Sequence, residues 1–306
     1  MSSLKEKIVK GLKNPRLAML VILPGWFWNA LKDETYLYFQ YQASIGKKLD
    51  LDTPKTFNEK LQWLKLYDRK PEYTVMVDKY AVREYIAKKI GEQYLIPLLG
   101  VWDDPDEIDF DALPNQFVLK CNHNSGLGMC ICKDKSKLDI EKVKRDLRKG
   151  LQQDYYMQGR EWPYKNVPKK IVCEKYLVSD DGELADYKVH NFNGEPKFIL
   201  VCRDRFGKSG LTEDFFTEKW EHMEVKRPRI PNATHSIPKP EELEQMLELS
   251  RELARQIPFV RTDFYIVNHK IYFGEITFFP ASGAKVFEPE HYDALFGSWI
   301  KLPEKC

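Results

Sequence analysis

Between Val260 and Gly283 the chain reads VRTDFYIVNHKIYFGEITFFPASG, two runs of strand-like alternation broken by polar residues around His269-Lys270. Successive strand residues point to opposite faces, so positions two apart share one. If the runs pair as a hairpin about that break, Arg261 and Asp263 of the first converge with Glu275 and Thr277 of the second. Hard oxygen donors beside a planar cation suit a metal-bound phosphoryl group in transfer. The same residues also fit an ion-paired hairpin with a solvated charged face, and the segment by itself leaves both readings open.

A chain of 306 residues can bury one large core or two closely packed ones. Its 48 basic and 46 acidic residues nearly cancel, leaving a net charge of +2, so charge points to no nucleic-acid partner. The six cysteines, Cys121, Cys130, Cys132, Cys173, Cys202 and Cys306, lie mostly in apolar runs and read as small buried hydrophobes in a reducing compartment. Cys130-x-Cys132 has no second Cys/His pair at metal-site spacing. At the N-terminus, Lys5, Lys7, Lys10, Lys13 and Arg16 precede LAMLVILPGWFW, Leu17 to Trp28. This run is too short to span a bilayer, is interrupted at Pro24-Gly25 and has no small-residue cleavage site after it. The expectation is a cytoplasmic protein. Its basic start and Trp26, Phe27 and Trp28 fit either peripheral contact with the inner membrane face or a helix packed on its own domain.

Residues 1–73 read as a helical N-terminal extension, with Thr56 and Glu59 at capping-box spacing before Leu61, Leu64 and Leu66. A second amphipathic helix is expected from Asp78 to Lys89, with Tyr80, Tyr85 and Ile86 on its apolar face and Gly91 as its stop. Strand-like runs follow at Leu95 to Trp102, Gln116 to Cys121 and Met129 to Cys132, then a charged helix from Asp139 to Gln153. Three more strands are expected at Ile171 to Val178, Ala185 to Phe192 and Pro196 to Asp204, with Asp180-Asp181-Gly182 and Asn193-Gly194 as turns. Arg205 to Lys219 reads as a mobile stretch, and Glu241 to Gln256 as a helix before the hairpin.

In the loop CNHNSGLG, Ser125, Gly126 and Gly128 allow a backbone to approach phosphate oxygens closely, and Lys120 sets an ammonium at the end of the preceding strand. The loop matches neither the GxxxxGK[ST] nor the GxGxxG pattern. The order of pieces carries more: Asp78-Lys79, VLK and a glycine-containing loop (Val118 to Gly128), V-x-E-K-Y-L (Val172 to Leu177), R-x-D and E-x-T. Together they resemble the ATP-grasp superfamily. Within it, KCNHNSG (Lys120 to Gly126), EWPYKN (Glu161 to Asn166), ADYKVHNFNGEPKFI (Ala185 to Ile199) and GEITFFPASG (Gly274 to Gly283) are similar to the TupA-like branch, named for teichuronopeptide biosynthesis and found in bacterial surface-polysaccharide pathways.

That resemblance implies an α+β fold whose two α+β lobes clamp ATP, an N-lobe at 74–168 and a C-lobe at 169–306. It implies phosphate contacts from Lys79 and Lys120 and closure of the loop carrying Asn122, His123, Ser125, Gly126 and Gly128. Glu174, Lys175, Tyr176 and Leu177 would meet the adenine, and Asp186 the ribose. Asp263, Glu275 and Thr277 would hold Mg2+, although superfamily members usually have Asn at the last position. Arg261 would stabilise the transferring γ-phosphoryl. The implied chemistry joins a carboxylate-bearing sugar or glycan precursor to an amine through an acyl phosphate, with ATP and Mg2+ as cofactors. Lys188 and His190, on the face of Asp186 if that run is a strand, and Arg203 and Arg205 beyond it, are candidate substrate contacts or cross-strand ion-pair partners. A sugar kinase on the same fold, a glycosyltransferase using Asp103-Asp104 or Asp180-Asp181, and a non-enzymatic nucleotide sensor are the rival readings.

Overall fold

A computed structural model describes residues 15–23, 25–179, 184–203 and 210–305. Arg205, the Asp180-Asp181-Gly182 turn, the N-terminal lysines and Cys306 lie outside the described residues. Ten α-helices occur among the described residues: α1 (Pro15–Ile22), α2 (Gly25–Asn29), α3 (Asp33–Ile45), α4 (Phe57–Tyr67), α5 (Glu72–Val77), α6 (Val82–Lys89), α7 (Ile140–Gln152), α8 (Tyr156–Gly159), α9 (Leu243–Ala254) and α10 (His291–Trp299). None is long and apolar enough to cross a membrane. The strands are β1 (Leu98–Trp102), β2 (Phe117–Cys121), β3 (Cys130–Cys132), β4 (Ile171–Lys175), β5 (Asp186–Phe192), β6 (Glu195–Arg203), β7 (Thr212–Thr217), β8 (Phe259–Val267) and β9 (Lys270–Thr277). They form two antiparallel sheets, of order β1-β4-β2-β3 and β7-β6-β5-β8-β9.

The smaller sheet packs Phe117, Leu119, Ile171 and Cys173 against Val143 and Leu147 of α7 and the loop residues Ile108, Phe110 and Leu113. The larger sheet is covered on one side by α9, whose Leu243, Met246, Leu247 and Leu253 are buried at helical spacing. Ser250 sits on that face too and bonds Asn191 (2.8 Å) and Thr262 (2.7 Å), so the polar atoms buried with it are paired. The helices from α2 to α5 share one continuous core with this sheet: Trp28, Leu37, Phe57, Leu61 and Tyr73 belong to the same cluster as Phe192, Phe198, Phe259 and Phe296. Ile96, Leu177 and Val267 make a small third cluster where the chain passes from one sheet toward the other.

Two expectations need correction. Within Arg205 to Lys219, expected to be mobile, lies β7, whose Glu213, Asp214, Phe215 and Phe216 are buried beside β6. Polar residues obscured its alternation because Glu213 and Asp214 are paired, with Arg227 (3.2 Å) and His222 (3.1 Å). The helix expected from Asp78 starts at Val82, and Tyr80 is exposed. Asp78 is instead spent on bonds from the Asn122 amide (2.7 Å) and the Tyr80 N–H (2.8 Å).

Candidate active site

The hairpin turn falls at Asn268-His269, both at positive φ (50° and 60°), a tight turn that matches the strand twist. It sets Asp263 opposite Glu275 and Arg261 opposite Thr277, while β5 brings Lys188 opposite Asp263. Arg261 donates to both oxygens of Asp263 (2.6 and 2.7 Å), to Glu275 Oε1 (3.0 Å) and to Thr277 Oγ1 (3.1 Å). Lys188 bridges Asp263 (2.5 Å) and Asp186 (2.6 Å). Burial alone would raise the Asp263 carboxyl, but Arg261 and Lys188 outweigh it and hold the group below the usual carboxylate range. Burial likewise works against the charged form of Lys188, and Asp263 and Asp186 overcome it to raise that ammonium.

A cleft of about 290 Å³ opens over this face, lined by Arg261, Glu275, Thr277, Lys79, Asn124 and Ser125 among others. The loop supplying Asn124 and Ser125 is held from behind. Asn122 bonds Asp78, the Pro168 carbonyl (2.8 Å) and the Lys170 N–H (2.7 Å), and His123 Nε2 meets the Gln153 carbonyl at 3.1 Å. Gly128 is needed where the loop returns: at φ 71°, it packs so closely on α7 that an added Cβ would lie 3.0 Å from Gly150 Cα. Lys79 ties the loop to α6 through its Nζ, 2.5 Å from the Asn124 carbonyl. Burial pushes the Lys79 ammonium down, against the pull of Glu275.

The wall across the cleft carries, besides Tyr164, residues that pattern reading had not assigned to a site. Glu161, Tyr155, Tyr164 and Ser282 line it, and Lys65 lies behind, bonded to the Gly159 carbonyl (2.7 Å), Ser282 (2.9 Å to both O and Oγ) and Gln62 (3.0 Å). Burial lowers the Lys65 ammonium to about 8 and raises the Glu161 carboxyl. The signal for Glu161, Tyr164 and Ser282 lay in EWPYKN and FFPASG, which marked the family but offered no periodicity to say which side chains face inward; Tyr155 and Lys65 lie outside both motifs.

The structure separates the other expected residues. Ser125 and Gly126 stand at the exposed loop tip, whereas Asn122, His123 and Gly128 are buried scaffold. Lys120 and Glu174 pair with each other at 2.5 Å, with Arg83 3.5 Å from the same carboxylate. Thus Glu174 does not present a free carboxylate from β4. Lys175 is exposed, Tyr176 is half-buried and Leu177 packs in the third cluster, at the start of the segment between the sheets. Asp186, expected at the ribose, is paired to Lys188, expected at the substrate, and both belong to the ladder that holds Asp263. His190 is corrected more strongly: although it lies opposite Arg261, it is 2% exposed, stacked on Phe198 at 4.1 Å and not part of the cleft lining. Arg203 follows Cys202, the partner of Asp186, and by alternation points to the other sheet face. Asp103 pairs with Lys170 (2.7 Å), and Asp104 caps the short helical turn at Pro105–Glu107, which leaves neither set for a nucleotide-sugar metal.

The family described as TupA-like ATPgrasp matches residues 59–301, which takes in both sheets and every wall of the cleft. The chain belongs to the TupA-like ATP-grasp family. A comparison with curated proteins found no match. Among solved structures, a D-alanine-D-alanine ligase from Helicobacter pylori is 15% identical with a TM-score of 0.45, covering 80% of this chain and 69% of its own. A D-alanine-D-alanine ligase from Bacillus anthracis, complexed with ATP, is 16% identical with a TM-score of 0.39, covering 66% and 53%. A biotin carboxylase from Campylobacter jejuni is 14% identical with a TM-score of 0.40, covering 75% and 48%. In this ATP-grasp chain Glu275 Oε1 and Thr277 Oγ1, oxygen donors of the kind Mg2+ takes, lie 3.5 Å apart at the cleft, and Asp263, the cross-strand partner of Glu275, is buried behind them with both oxygens held by Arg261. The Arg261 guanidinium is placed among the same oxygens.

Proposed function

We propose that this protein is an ATP-dependent carboxylate–amine ligase that modifies a uronic acid or an amino-acid-bearing precursor of a bacterial cell-surface polysaccharide. The observation that carries this reading is the convergence of Arg261, Glu275 and Thr277 with Lys79 and the Asn124-Ser125 loop around one cleft. Asp263, Glu275 and Thr277 would hold Mg2+, which when bound supplies positive charge against phosphate oxygens. Lys79 and the backbone of the Ser125-Gly126 tip would hold the phosphates of ATP, with Lys120 set behind them by Glu174. The segment from Lys175 to Leu177 would form the adenine wall.

Arg261 would turn from its acids toward the γ-phosphoryl as the substrate carboxylate attacks it. That attack yields ADP and an acyl phosphate, which the amine then resolves to an amide and phosphate. Exclusion of water from the cleft would protect the acyl phosphate. No protein nucleophile is required. Met19, Ile22 and Trp26 are exposed on α1 and α2 (42%, 77% and 72%), and beside the basic residues before them they would support peripheral contact on the cytoplasmic face of a membrane.

The test is ADP release from MgATP with pooled uronic acids and amines, with products analysed by mass. A condensed product supports the ligase, whereas a phosphorylated sugar would replace this reading with a kinase.

A further inference from the structure

The two walls of the cleft differ in charge. Lys79 and Arg261, with Glu275 bonded to the latter, stand on one, suited to phosphate and carboxylate oxygens, while the other presents Glu161 near Tyr155 and Tyr164. Glu161 is only 5% exposed, and among the described residues no Lys, Arg or His nitrogen is within salt-bridge distance of it. The Ser282 hydroxyl, which donates to the Gly159 carbonyl at 3.4 Å, is close enough to favour its charged form. Lys65 is close enough to act through space, but its ammonium protons are taken by Gly159, Ser282 and Gln62. A buried carboxylate without a bonded cation is costly, so something must favour keeping it.

The backbone around it is held at a cost as well. Arg160 (φ 53°), Ala281 (φ 50°) and Ser282 (φ 57°) are all left-handed, in the two loops that aim Glu161 and Ser282 at the cleft. Arg160 is locked by the Trp28 carbonyl (2.6 Å) and by the Tyr36 ring, 4.7 Å from its guanidinium carbon. At Gly159, the end of α8, an added Cβ would lie 2.2 Å from Ser282 Oγ, so any side chain there would displace Ser282. Tyr155 and Tyr164 meet edge to face at 4.8 Å and 73°, which sets two aromatic rings beside the acid.

We propose that Glu161, the Tyr155 and Tyr164 rings and the Ser282 hydroxyl form the subsite for the acceptor amine, which enters as a primary ammonium ion. A carboxylate with flanking aromatic rings recognises an ammonium by charge, hydrogen bonding and cation–π attraction, and gives a neutral hydroxyl none of the ionic part. The inference rests on the ligase reading and adds the residues that choose the nucleophile. Within it, the ammonium gives one proton to Glu161, and the freed nitrogen lone pair attacks the acyl carbon. The acyl C–O bond to phosphate breaks, a second nitrogen proton leaves with the phosphate as hydrogen phosphate, and Glu161 returns its proton to water. Burial, which raises the Glu161 carboxyl, favours that proton acceptance.

Ligand-observed NMR on the full chain, with n-propylammonium and n-propanol as probes, tests the subsite without turnover. Wild type should bind n-propylammonium saturably and n-propanol not at all, and Glu161→Gln should raise the Kd about tenfold or more. Tyr155→Leu should weaken the same binding while leaving the carboxylate in place. The proposal is overturned if wild type binds neither probe or both alike, a comparison that needs no variant to fold. An unchanged Kd in folded Glu161→Gln would overturn it too. ADP release reports on the ligase reading separately, so either idea can fail alone.

Discussion

Arg261 reaches oxygens of three side chains on two strands, and Glu275 is the one acid among them with a partly open side chain, 39% exposed. Glu275→Gln therefore removes a cleft charge at little structural cost, and we expect ADP release to fall about a hundredfold or more. Circular dichroism should be unchanged, and retained turnover would remove Glu275 from the site. His190 offers a second check at this scale. Burial, then Arg261 and Arg227, hold its imidazole well below the ordinary 6.5. The unfolded imidazole takes up a proton near 6.5 while the folded one does not, so this contribution to stability is lost as pH falls below that value. The slope is at most about 1.4 kcal/mol per pH unit. Urea unfolding between pH 7 and 5 should show that slope flattened in His190→Phe relative to wild type. The hairpin residues were legible in the sequence because alternation and one short turn fix which side chains meet. Glu161, Lys65 and Ser282 were not, because three distant segments must pack before they share a wall.

At the scale of elements, α4 depends on its start. Thr56 Oγ1 accepts from the Glu59 N–H (3.2 Å), and Glu59 returns a bond to the Thr56 N–H (2.9 Å), the capping box that the spacing announced. Thr56→Ala should lower stability by about 1 kcal/mol in urea unfolding, without touching the cleft. The contact between α10 and the entry to α4 is tighter, because a Cβ at Gly297 would lie 2.2 Å from the Lys55 carbonyl oxygen. Gly297→Ala should cost about 1–3 kcal/mol, and a neutral effect would mean the two helices are less closely seated. Helix and strand existence followed from period and caps. The start of α6 and the presence of β7 did not, since in both places acidic side chains serve tertiary partners that no local pattern reveals.

Across the whole molecule, two antiparallel sheets contribute separate charge networks to one region. Lys120, Glu174 and Arg83 belong to the smaller sheet's side, and the Asp186-Lys188-Asp263-Arg261-Glu275 ladder to the larger. Lys79 and the loop after Lys120 stand between them, close enough that Glu275 and Glu174 both act on the Lys79 ammonium. This placement makes transfer of phosphoryl to a carboxylate the central claim. The direct measurement uses acids labelled with oxygen-18 in the carboxylate, MgATP and an amine pool, with the released phosphate analysed by mass. Attack by the carboxylate on the γ-phosphorus predicts that the phosphate carries one labelled oxygen. Product formation with unlabelled phosphate would contradict the account.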